Sequence, residues 1–153
     1  MAIYSGSTSS LANPVNFLVY RNAALNSGNN AFAIVNFDTA VYDTGGNVDL
    51  VSSVGRFTPP ITGYYHIEST LASNGAISSD CIISVFKGGA EYARGGRNKL
   101  AANGDAVSVS LTLKLTASTD YIEINSFGNA QFGLAVGTAP MLTYFSGFLV
   151  SKT

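Results

Sequence analysis

Apolar and polar residues alternate with a period of two over much of the chain, most cleanly from Ala106 to Leu115 (AVSVSLTLKL). Val107, Val109, Leu111, Leu113 and Leu115 fall on one face, and Ser108, Ser110, Thr112 and Lys114 on the other, the pattern of a half-buried strand. Tyr64 to Leu71 repeats it, with Tyr65, Ile67 and Leu71 on one face and Tyr64, His66, Glu68 and Thr70 on the other. Before it, Pro59-Pro60 supplies no backbone N–H for a ladder and Gly63 restores freedom, so this stretch predicts a turn leading into a strand. A strand with an apolar face and a polar, aromatic-edged face must lie between a core and something other than plain water.

The remaining elements follow in order. Pro14 opens a first strand, Val15 to Arg21, and Asn26 to Asn30 is a loop by composition. Ala31 to Phe37 is a second strand, Asp38 to Tyr42 continues extended, and Asp43 to Asn47 is a turn. Val48 to Val54 predicts a short edge segment, and Ser73 to Ser79 a loop. Cys81 to Lys87 and Ala90 to Arg94 form a hairpin about Gly88-Gly89. Gly95 to Asn98 is a further turn, Tyr121 to Phe127 a strand, Gly128 to Pro140 loop-like, and Met141 to Val150 the final strand. No segment carries a helical period. Eight to ten short strands separated by turn signals predict an all-β, two-sheet sandwich or jelly roll.

Length and composition sharpen this picture. At 153 residues the chain fits one domain that buries about two-thirds of its unfolded surface without metal or disulfide. Met1–Asn13 are small and polar and read as a flexible arm, leaving Pro14–Thr153 as the domain. Charged residues make up 11% of the chain, against about 25% in ordinary globular proteins. A surface so poor in charge points to assembly. The formal net charge of −1 leaves no basic footprint for nucleic acid. No apolar run approaches the length of a bilayer span, and no secretory leader is visible.

Candidate chemistry is sparse. The one cysteine, Cys81, lies in an apolar run and reads as a small buried hydrophobe. His66 is the one histidine, with Glu68 its one foreseeable neighbour, which points to an interface or core histidine over a catalytic or metal-binding one. No Gly-x-Ser-x-Gly elbow exists. The glycine pairs lack the Lys-Ser/Thr or helix of a phosphate cradle. Arg94, Arg97 and Lys99 form a basic cluster read as a solvated loop. Asp43, Asp49, Asp80 and Asp105 lack the spacing of a calcium loop. Neither an enzyme nor a cofactor or metal is expected.

Several pieces resemble a known family in its own order. Phe17 to Asn22 is similar to the first strand of the C1q/TNF-type jelly roll, and Asn36 to Thr39 to its second. Gly55 to Tyr65 (GRFTPPITGYY) resembles its most recognisable segment, Val85 to Gly89 its central hairpin, and Tyr144 to Val150 its closing strand. The resemblance is closest to the C1q-like globular domain, in the plain, cysteine-poor form encoded by bacteria and phages. It implies a two-sheet jelly roll of about ten strands that packs as a homotrimer. It also implies that the outward row of the Tyr64 strand faces the threefold axis, so that His66, Glu68, Thr70 and, from the last strand, Phe145 meet their copies. The family commonly has aromatic or aliphatic residues where this chain has His66 and Glu68. Three carboxylates near one axis repel unless protonated, hydrated or paired.

No Gly-X-Y stalk is visible. The expected function is that of a trimeric virion protein decorating or cementing a phage capsid, with the major capsid protein or another virion protein as partner. The alternative is a fibre-tip or cell-surface module, virion-borne or extracellular, that recognises a glycan or host receptor. Neither needs a membrane or nucleic acid.

Overall fold

The computed structural model describes residues 15–53, 55–75, 80–128, 131–137 and 141–153. The expected arm, Met1–Asn13, lies outside the described residues. Among these, thirteen strands and no helix occur: β1 (Asn16–Tyr20), β2 (Leu25–Gly28), β3 (Ala31–Ile34), β4 (Thr39–Asp43), β5 (Val48–Asp49), β6 (Arg56–Phe57), β7 (Gly63–Ala72), β8 (Asp80–Lys87), β9 (Ala90–Lys99), β10 (Ala106–Leu115), β11 (Ile122–Gly128), β12 (Gln131–Leu134) and β13 (Tyr144–Lys152).

They form two facing antiparallel sheets. The first runs β10-β7-β13-β1-β4, and the second β5-β6-β11-β8-β9, with β3 also paired to β11. β2 and β12 make a separate two-stranded ladder. The β10–β7 register pairs His66 with Thr112 and Tyr65 with Leu113, so like faces meet like. β13 pairs with β7 on one side and with β1 on the other, which joins the first and last strands of the described chain.

The core between the sheets is aromatic at its centre. Phe17 stacks on Phe57 at 4.6 Å and meets the edge of Phe145 at 4.8 Å. Phe37 continues from Phe145, and Tyr65 from Phe57, at 5.7 and 5.5 Å. All five rings are buried, each contributing about 1.5–3 kcal/mol of apolar transfer. The buried Tyr65 hydroxyl is satisfied by donating to the Ile61 carbonyl at 2.7 Å.

Gly147 makes this packing possible. A Cβ there would stand 2.8 Å from both Ile67 Cδ1 and Phe17 Cε1. Gly147→Ala should therefore destabilise the protein by about 1–3 kcal/mol through overpacking, read as a lower urea midpoint with unchanged slope.

Three sequence expectations change. Gly95 to Asn98 is not a turn but the interior of β9. A Cβ on Gly95 would meet Val109 Cβ at 2.5 Å and the Ser108 carbonyl at 2.7 Å, so the glycine lets β9, at the edge of one sheet, close against β10, at the edge of the other. Asn26 to Asn30 and Gly128 to Pro140, both read as loops, contain β2 and β12. These pair with each other, with Leu25 opposite Leu134. Leu134 is buried in the core, and that burial outweighs the poor strand propensity of Asn, Ser and Gly.

Candidate functional site

The outward row of β7 sits between β10 and β13 on the outer face of the first sheet. Strand parity sends Tyr65, Ile67 and Leu71 into the core and Tyr64, His66, Glu68 and Thr70 outward. His66 is half-buried, with its ring 5.3 Å from the Phe148 ring of β13. Its Nδ1 lies 3.2 Å from Thr112 Oγ1, and its Nε2 3.3 Å from Ser110 Oγ. Glu68 accepts a hydrogen bond from the Tyr144 hydroxyl at 3.1 Å. Thr70 and Ser108 hydroxyls share one at 2.9 Å. Around this polar row stand exposed large hydrophobics: Tyr64, Phe148 and Val150, with Tyr42 from β4. His66, Glu68 and Thr70 thus lie together on one face.

Phe145 does not join them. It is 0% exposed, pairs with Ser69 on the core side of the ladder, and packs on Phe17 and Phe37. The aromatic that accompanies His66 is Phe148, directly opposite it in register and 49% exposed.

The other candidate groups are spent locally. Asp43 caps the amides of Asn47 and Val48, and Asp105 those of Ala101 and Ala102. Asp49 accepts from the amides of Val51, Ser52 and Ser53, each at 2.8 Å. These backbone donors, led by Ser52, hold its carboxyl below the usual range. Among the described residues, no three His, Cys, Asp or Glu side chains gather as a metal site. In the basic cluster, Arg94 grips Glu91 through two nitrogens at 2.8 Å, and Arg97 meets Asp80 at 2.6 Å, so opposite charge offsets both arginines.

Cys81 is fully buried on β8, and burial pushes its thiol up to about 12. The thiolate is the reactive form. Native protein should therefore give no labelling by an aromatic disulfide reagent over a period in which the urea-unfolded chain reacts fully.

One pair lay beyond sequence reasoning. Arg56 Nε and one terminal guanidinium nitrogen both donate to Glu123 Oε1, at 2.8 and 2.7 Å, and the guanidinium lies 4.0 Å above the Tyr121 ring. Both residues occupy outward positions of the second sheet, since Phe57, Ile122 and Ile124 beside them are buried in the core. The residues are 67 apart in sequence, and nothing local signals that β6 and β11 are neighbours.

The fold has well-matched counterparts. The globular domain of zebrafish complement 1qA protein is 18% identical, with a TM-score of 0.64 over 90% of this chain and 98% of its own. Eiger TNF from S. frugiperda is 8% identical, with a TM-score of 0.64 over 92% and 95%. Murine APRIL is 12% identical, with a TM-score of 0.62 over 90% and 99%. Among curated proteins no sequence matches the chain. The family model of the C1q domain matches residues 16–150, which span both sheets from β1 into β13. The chain belongs to the C1q domain family.

Proposed function

We propose that the protein is a non-enzymatic homotrimer that contacts its copies through the outward face of the β10-β7-β13-β1-β4 sheet, and that the trimer decorates a phage capsid. One observation carries the assembly reading. Tyr64, Phe148, Val150 and Tyr42 stand exposed on a single sheet face of a chain in which 11% of residues are charged. Exposed aromatic residues grouped on one face mark an interaction surface, and aromatic anchors dominate interface energetics.

The polar row fits within such a contact. His66 is held by Thr112, Ser110 and Phe148, so little side-chain freedom remains to be lost on assembly. Glu68 already has one donor in Tyr144, which eases the cost of bringing three carboxylates together. Phe148, rather than Phe145, is the aromatic that meets its copies.

The capsid role rests on the low charge and on the resemblance of the plain C1q-like form to phage-encoded proteins. A trimer covering strand faces and bridging capsomers would act mechanically, with the major capsid protein as partner. Sedimentation equilibrium should give three times the protomer mass, and a purely monomeric protein would overturn the assembly. Virions lacking the protein should lose resistance to heat and osmotic shock. Intact resistance with lost host adsorption would instead move the protein to receptor or glycan recognition.

A further inference from the structure

The Arg56–Glu123 pair borders a cavity of about 250 Å3 on the outward face of the second sheet, lined by Ile34, Asn36, Ser52, Ser53, Arg56 and Glu123. The pair is incompletely used. The Glu123 side chain is 6% exposed, yet both guanidinium contacts fall on Oε1. Oε2 receives no hydrogen bond, and the second terminal nitrogen of Arg56 donates none, among the described residues. A full fork would engage both carboxylate oxygens. Glu123 Oε2 is not among the buried side-chain atoms left without a partner, so it keeps accessible surface through which a ligand can reach it. The opposite charges of Arg56 and Glu123 offset each other.

The surroundings are fixed in advance. Tyr121 supports the guanidinium plane. Asp49 gathers the amides of Val51, Ser52 and Ser53, which holds the two serines at the rim without help from a ligand. Register with Asn125 places Ile34 at the end of β3, where it is 44% exposed. The cavity thus offers an anionic acceptor, a cationic donor, two hydroxyls, an amide and one apolar surface. Its volume falls below the roughly 300–1,000 Å3 of drug-sized ligand pockets, which limits an occupant to a small molecule or a single residue of a larger one.

We propose that this cavity binds one neutral pyranose residue, as a free sugar or the end of a glycan. Adjacent sugar hydroxyls each donate and accept, so one donates to Glu123 Oε2 while its neighbour accepts from Arg56. Ser52, Ser53 and Asn36 meet further hydroxyls, and the C–H face of the ring lies on Ile34. The net neutrality of the ion pair selects against charged sugars. This binding goes beyond the assembly reading and does not depend on it, because the cavity lies on the sheet opposite the proposed trimer face.

The test uses the full-length, 15N-labelled protein titrated with the methyl α-pyranosides of glucose, galactose and mannose at millimolar concentrations, with N-acetylneuraminate as the anionic comparison. At least one neutral glycoside should produce saturable shifts at the Ser52 and Ser53 amides and the Arg56 side-chain N–H, and N-acetylneuraminate none. Glu123→Gln should weaken binding at least about tenfold, the effect of one lost charge-assisted hydrogen bond. Ile34→Arg, at an exposed position outside the core, fills the cavity and should abolish binding even if Glu123→Gln fails to fold. The proposal is overturned if none of the three glycosides shifts those resonances, or if Ile34→Arg binds as well as the parent. Sedimentation of the same samples reports the assembly reading separately.

Discussion

Phe145→Ala should cost about 3–5 kcal/mol of folding stability, the range for deleting a buried aromatic ring. That is a large part of the 5–15 kcal/mol that holds a typical domain together. The ring is fully buried and touches both Phe17 and Phe37, so its removal opens a void in the middle of the aromatic row. The surrounding strands cannot collapse into it, because β13 is hydrogen-bonded on both sides. Urea unfolding of the variant at several protein concentrations gives the readout. The loss should persist at every concentration, since the cavity lies inside one protomer. A loss below about 1 kcal/mol would remove Phe145 from the core.

Phe148→Arg should have the opposite signature. Its ring is half-exposed beside His66, so the folded protomer loses little. In the proposed trimer every copy brings a charge into the contact, and truncation of a central aromatic anchor alone typically costs 2 kcal/mol or more. Dissociation should therefore rise at least about thirtyfold. The expected result is a folded monomer by sedimentation and circular dichroism at concentrations where the parent is trimeric. Because assembly adds stability by mass action, its unfolding midpoint should fall furthest below that of the parent at high protein concentration. A variant that stays trimeric would show that this face is not the contact.

These two neighbouring positions mark the limit of what the sequence made legible. β10 and β7 follow directly from period-two alternation, and β10 has the bounds read for it, Ala106 to Leu115. The last strand is harder because Tyr144, Phe145 and Phe148 place aromatics on both faces. Hydrophobicity alone cannot fix parity there; the register against β7 does. Gly95-Gly96 illustrates a second limit. Paired glycines serve equally in a turn and where two backbones approach closely, and only the position of β10 distinguishes the two. His66, Glu68 and Thr70 share one face of β7, which the sequence shows because parity within one strand is a local property. The Arg56–Glu123 cavity depends on three segments meeting, which no window of sequence contains.

The position of β13 has a consequence for how the protein is made. It lies inside the first sheet, between β7 and β1, although it is the last strand of the described chain. During synthesis the ribosome releases β10, β7, β1 and β4 before their central connector. Until residues 144–152 emerge, β7 and β1 each present an open ladder edge, and open edges recruit stray strands. Closure must then span nearly the whole chain, a slow step for long-range antiparallel pairing. A product that stops before Tyr144 would therefore be split down the middle of a sheet rather than trimmed at its edge, and aggregation is its expected fate.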